Sequence, residues 1–315
     1  MLNHHEQHDS SGESFEQELH NDILKTVAYF DLFEYPLTAE QIYSFLPRNS
    51  VTKEYVNASV QFLASKERLS YNGGFYFLPT ANPVVTSERI DREARAKRML
   101  SFARIVAAFI KQFPFVRGIF ITGSLSKNVA DRSSDIDFMI VTAPERLWIV
   151  RMMLTMFRKI FLLGSRKYFC TNYYVTEQGL TLDRRNTYTA LEVVTTKVLW
   201  NKEAFLEYQK HNAWTKQFLP NISISVEDRL LISGSRSQLQ RITESVLNLF
   251  PMRTLDAKLM DYHRTHWHKA FGHVGEERLR SMFIISKDIS ASWPEDRQVP
   301  VLTRYREKVA QLGLR

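Results

Sequence analysis

The sequence predicts an α/β (α+β) chain in which a small mixed sheet covered by helices follows an N-terminal unit of three helices and a hairpin and precedes a helical C-terminal region. Three observations carry this. Short apolar runs near residues 116–122, 135–142 and 167–175 alternate with helical spacing over 86–112 and 144–163. Three short helical patterns before residue 66 lead into a paired run around Asn72-Gly73-Gly74. A length of 315 residues with 44% hydrophobic side chains suits two or three domains with real cores.

Taken in order, residues 1–20 are polar, hold Glu6, Asp9, Glu13, Glu16 and Glu18 with no Lys or Arg, and read as a disordered tail. His4, His5 and His8 lie within it. Residues 21–82 form the first unit. Asp22 to Phe33 has helical spacing that Tyr35-Pro36 ends. Thr38-Ala39-Glu40-Gln41 is a capping box opening a second helix. Thr52 to Lys66 places Val56, Val60 and Leu63 on one helical face. Leu69-Ser70-Tyr71 and Phe75-Tyr76-Phe77 flank the glycine turn of a hairpin.

Pro79 and Pro83 open a linker segment, 83–114, with one long helix. Its first half is cationic (Arg89, Arg92, Arg95, Lys97, Arg98), within reach in sequence of an anionic ligand, and its second half is apolar. A core domain is expected over 115–222. From 223 to 315 the pattern is helical, and His263, His266, His268 and His273 read as surface or packing residues.

The formal charge is +8; without the acidic first twenty residues, 42 basic side chains face 29 acidic ones, +13. Such an excess favours polyanionic partners such as nucleotides, nucleic acid or anionic surfaces. Cys170 is the single cysteine, which excludes an internal disulfide and fits a reducing cytoplasm. The N-terminus lacks the pattern of a signal peptide. The longest apolar stretch, Leu147 to Leu163, contains Arg151, Arg158 and Lys159 and reads as a core helix with a basic edge rather than a transmembrane segment.

The chemistry concentrates in GIFITGSLSKNVADRSSDIDFMIVT, residues 118–142. An apolar run ends in Gly123-Ser124, and Asp135-Ile136-Asp137 opens the next one. Carboxylates at i and i+2 share one side of a strand. Like charges on one face of a buried strand call for a cation, and a divalent metal takes carboxylate oxygens while leaving places for phosphate. The Gly-Ser turn offers backbone N–H groups and a hydroxyl to that phosphate.

The order strand, Gly-Ser, Asp-x-Asp in a second strand resembles the nucleotidyltransferase superfamily with the DNA polymerase β-like fold, locally over residues 116–200. That resemblance implies a metal-dependent transfer of a nucleoside monophosphate, most simply AMP from ATP, to a hydroxyl acceptor. It implies Asp135 and Asp137 as catalytic ligands of Mg²⁺ or Mn²⁺, Gly123 and Ser124 at the triphosphate, and Lys127 and Arg132 as further charge in the loop. The family supplies a third carboxylate from a later strand. Here Asn172 stands about where that acid belongs; it can coordinate through its carbonyl oxygen but cannot act as a base. Glu177 and Glu192 are substitutes from other backbone positions. The first unit resembles a winged helix-turn-helix domain, which implies a protein or nucleic-acid partner. Two rival readings are a non-catalytic nucleotide-sensing regulator, which Asn172 favours, and a nucleic-acid-binding protein that uses the basic surface.

Overall fold

The computed structural model describes residues 6–292 and 298–314. The chain is α+β. The first unit comprises α1 (Glu6–Asp31), α2 (Ala39–Phe45), α3 (Lys53–Ser65) and the hairpin β1 (Ser70–Asn72) and β2 (Phe75–Phe77). The helix α1 is longer than the sequence suggests. It starts at Glu6, and Leu19, Ile23, Val27 and Phe30 line its buried face. The tail assigned to residues 1–20 is therefore corrected from Glu6 onward: one apolar residue per turn, Leu19, extends a pattern that polar residues upstream conceal. Residues 1–5, with His4 and His5, lie outside the described residues.

The capping box forms as expected: the Thr38 hydroxyl accepts from the Gln41 N–H at 3.2 Å, and the Gln41 side chain accepts from the Thr38 N–H at 3.1 Å. In the hairpin Asn72 pairs with Phe75, so Gly73 and Gly74 make the two-residue loop, with φ of 57° and 89°. Left-handed backbone at both positions is what that turn requires, and glycine adopts it without a Cβ penalty. Leu37 bridges to Tyr76 and ties the start of α2 to the hairpin.

The long helix α4 (Val85–Ile110) follows. Its cationic half fastens the molecule together. Arg89 is buried; its guanidinium lies 3.4 Å from the Tyr35 ring centre, donates to the Pro36 carbonyl at 2.6 Å and pairs with Glu93. Arg92 pairs with Glu34 and Asp131.

Then come β3 (Val116–Ile121), α5 (Gly123–Ser126), β4 (Asp137–Thr142), α6 (Leu147–Phe161), β5 (Cys170–Thr176), α7 (Thr187–Thr195), β6 (Lys197–Trp200) and α8 (Lys202–His211). The C-terminal region adds α9 (Gln238–Leu247), α10 (Met252–Phe271), α11 (Glu276–Met282), β7 (Phe283–Ile285), β8 (Ile289–Ser292) and α12 (Gln298–Gln311). It is mostly helical, and it also donates two strands. The sheet runs β6-β3-β4-β5-β8-β7, with β4 and β5 parallel and every other pair antiparallel.

Alternation along the central strands builds two cores. Phe120, Met139, Val141, Tyr173 and Val175 face one side, packed with α1, α7 and α8. Ile119, Ile121, Phe138, Ile140 and Tyr174 face the other, packed with α4, α6 and α10. On that second side His263 of α10 is buried between Trp148 and Trp267, beside the buried Arg151, whose guanidinium lies over the Tyr174 and Trp267 rings. His266, His268 and His273 are exposed.

Candidate active site at the edge of strands β3, β4 and β5

The antiparallel pairing of β3 with β4 brings the end of one strand to the beginning of the other. Ile121 stands opposite Phe138, and the Thr122 N–H donates to the Asp137 carbonyl at 3.1 Å. The Gly-Ser turn therefore lies directly against the Asp-x-Asp segment. Gly123 has a φ of 69°, and a Cβ built there would sit 2.6 Å from Asp137 Oδ2. Two constraints meet at this position: left-handed backbone, and a carboxylate oxygen where any side chain would begin.

Ile136 lies between the two aspartates and is fully buried. Its N–H donates to the Lys167 carbonyl and its carbonyl accepts from the Cys170 N–H. That pairing holds 135–137 extended beside the approach to β5, so Asp135 and Asp137 fall on one side of the chain and Ile136 on the other. Both aspartates are partly exposed.

The parallel register of β4 and β5 sets Asp137 opposite Cys170, and the irregularity after Thr171 turns Asn172 toward the same carboxylate. Asn172 Nδ2 donates to Asp137 Oδ1 at 3.1 Å. The Cys170 thiol is buried; burial pushes its pKa up, and the neighbouring Asp137 carboxylate pushes it the same way.

Glu177 is brought elsewhere. Its N–H bonds to the Thr142 carbonyl, at the far end of the β4–β5 pair from Asp137. Glu192 accepts from Lys127 Nζ at 2.7 Å. Lys127 Nζ also donates to the Gly123 carbonyl at 3.1 Å, so it braces the turn. Ser126 braces it too, donating to the same carbonyl at 2.8 Å. Ser124 is exposed beside Gly123, and Arg132 is exposed in the following loop.

Arg95 was not singled out by sequence for this loop, yet it donates to the Ala130 carbonyl at 2.7 Å, while Arg92 holds Asp131. The cationic half of α4 thus fixes the loop between the two halves of the motif. Only the tertiary packing of α4 against residues 130–131 reveals that role.

A cleft of about 460 Å³ adjoins the far end of the turn. Ser126, Lys127 and Asn128 border it on one side, and Tyr35, Gln41 and Lys53 on another. The Tyr35 hydroxyl donates to the Lys127 carbonyl at 3.1 Å, which couples the first unit to the turn.

Among the described residues no three or more His, Cys, Asp or Glu side chains are grouped to hold a metal ion. Asp135 and Asp137 are carboxylates, the donor type that hard divalent cations take. Such ions complete their shell with phosphate oxygens and water, and the absence of a Cβ at 123 lets Asp137 Oδ2 lie close against the turn.

Among the described residues no helix is long and apolar enough to cross a membrane. Neither curated proteins nor solved structures gave a match to the chain. Residues 103–226, which hold Gly123, Ser124, Asp135, Asp137 and Asn172, match the model of the family described as nucleotidyltransferase domain.

Proposed function

We propose that this protein is a metal-dependent nucleotidyltransferase that moves a nucleoside monophosphate, AMP from ATP in the first instance, to a hydroxyl acceptor. The carrying observation is the contact between Gly123 and Asp137: a left-handed glycine whose missing Cβ leaves room for a carboxylate oxygen at the mouth of a Gly-Ser turn.

Asp135 and Asp137 would hold Mg²⁺ or Mn²⁺, which supplies charge neutralisation at the phosphates when bound. Ser124 and the turn N–H groups bind the terminal phosphates. Lys127, anchored by Glu192, keeps the turn in shape and adds positive charge near it. Arg132 is exposed in the loop and free to swing toward a triphosphate. Asn172 orients Asp137 through its amide. The acceptor oxygen forms a bond to the α-phosphorus while the bond to the bridging oxygen breaks; pyrophosphate leaves, and the acceptor proton passes to solvent. The cleft beside the turn gives the acceptor a place to lie. The first unit, three helices and a hairpin in winged-helix order, would present a protein or nucleic-acid partner; Asn57 and Gln61 are exposed on α3 for that purpose.

A second reading has its own observation. The residue bonded to Asp137 on β5 is an amide; Glu177 lies at the other end of the β4–β5 pair, and Glu192 is paired with Lys127. A nucleotide sensor would keep the turn and the aspartate pair and dispense with turnover.

Calorimetric titration with a non-hydrolysable ATP analogue, with and without Mg²⁺, tests both. Binding that requires Mg²⁺ and vanishes in the Asp135→Asn/Asp137→Asn variant supports the site, and radiolabel transfer to candidate acceptors then separates enzyme from sensor. Absence of binding for all four triphosphates would sink both readings.

A further inference from the structure

The outer faces of α4 and α6 leave a large apolar surface in water. Leu163 is 94% exposed, Phe161 68% and Ile105 67%, and Ile160 and Met156 are exposed beside them. Ring contacts join the two helices into one patch: Phe109 meets Phe157 at 4.6 Å, Phe157 meets Phe161 at 4.9 Å, and Phe102 meets Tyr168 at 5.0 Å. Leu163 also has a φ of 49°, a left-handed conformation that a non-glycine residue rarely adopts. The chain thus turns at Leu163-Gly164 with its most exposed leucine at the tip.

The chain segments that form the tip carry charge of one sign. Between Glu145 and Glu177 the chain carries Arg146, Arg151, Arg158, Lys159, Arg166 and Lys167 and no carboxylate. Between Glu93 and Asp131, which spans most of α4, it again carries only basic charges. Apolar side chains at the end of an amphipathic helix, ringed by Lys and Arg, match an interface of hydrocarbon beneath anionic headgroups.

We propose that the α6 tip and the adjoining face of α4 dock on an anionic lipid bilayer surface, with Ile160, Phe161 and Leu163 inserted and Lys159, Arg166 and Lys167 at the headgroups. Two other occupants fit less well. A two-fold copy would set the basic side chains of these segments against themselves. A single-stranded nucleic acid needs free ring faces, whereas Phe161 is stacked on Phe157, Phe102 and Tyr168 engage each other, and the outermost residues are aliphatic. The surface is independent of the nucleotidyl-transfer reading.

Co-sedimentation of the full chain with vesicles decides the matter. Vesicles of phosphatidylcholine mixed with phosphatidylserine should pellet the protein, pure phosphatidylcholine should not, and salt should weaken the association. The Phe161→Asp/Leu163→Asp pair and the Lys159→Glu/Lys167→Glu pair alter exposed side chains, so thermal unfolding should be unchanged while each lowers vesicle association at least about tenfold. No pelleting with phosphatidylserine, or equal pelleting by the variants, would overturn the proposal. So would an apolar-pair variant that instead abolishes binding of a labelled single-stranded oligonucleotide, or that dissolves a dimer seen by light scattering.

Discussion

Replacing Gly123 with alanine perturbs the site at its tightest point. The backbone there has a φ of 69°, so alanine carries a strain of about 1–2 kcal/mol before any contact is counted. The new Cβ would lie 2.6 Å from Asp137 Oδ2, and an ordinary contact requires the carboxylate to withdraw by about 1 Å. Withdrawal also stretches the 3.1 Å bond from Asn172. A displacement of that size in a positioning group costs on the order of 10²-fold in function. We therefore expect Gly123→Ala to lose about 1–2 kcal/mol in urea denaturation and about a hundredfold in Mg²⁺-dependent nucleotide affinity by calorimetry. Gly73→Ala is the control. It shares the left-handed backbone, at 57°, but meets nothing within 4 Å, so it should lose stability alone. Unchanged nucleotide affinity in Gly123→Ala would refute the placement of the nucleotide at this turn.

Three further expectations follow from individual side chains. Asn172→Asp sets a second carboxylate about 3.1 Å from Asp137 Oδ1, so the metal-free protein should melt earlier and Mg²⁺ should raise its melting temperature more than that of the wild type; an equal Mg²⁺ effect would count against a metal between these strands. Glu244 accepts from the Phe115 N–H at 2.6 Å and from Arg117 at 2.7 and 3.0 Å. Burial alone would raise its pKa, but those bonds outweigh it and hold the carboxyl below its usual range. Its stabilisation is thus complete above the unfolded carboxyl pKa and fades as pH falls through the lowered folded value; Glu244→Ala should cost about 3 kcal/mol at neutral pH and less in acid, measured by denaturant midpoints. Burial, then the Arg151 charge, lowers His263 to about 4 from an ordinary 6.5. The unfolded chain then binds more protons between those values, so stability should fall by up to about 3 kcal/mol as pH drops from 6.5 to 4, and His263→Phe should flatten that limb of the curve.

The sequence by itself determined the local elements whose signals are short in range. The capping box at Thr38, the double-glycine turn and the apolar runs that became β3, β4 and β5 are all nearest-neighbour patterns, and each formed within a few residues of its expected place. The Gly-Ser turn and Asp135-Ile136-Asp137 were legible for the same reason: period-two alternation places two carboxylates together without knowledge of any partner strand. The sheet's outer strands were not legible. The strands β7 and β8 are three and four residues long, and in β8 the polar Ser290 and Ser292 interrupt the apolar run; Ser290 is buried only where it pairs with Tyr174 of β5.

Partners distant in sequence were decided by tertiary structure alone. Asn172 reaches Asp137 because a parallel register and an irregularity in β5 put it there. Glu177, five residues further along the chain, is carried to the other end of the strand by the same extended backbone. Lys127 and the arginines of α4 looked like a cationic lining for a ligand; packing gave Lys127 to Glu192, Arg92 to Glu34 and Asp131, and Arg89 to Glu93. Charge is visible in sequence, but the partner that neutralises it depends on which surfaces the fold brings within hydrogen-bonding distance.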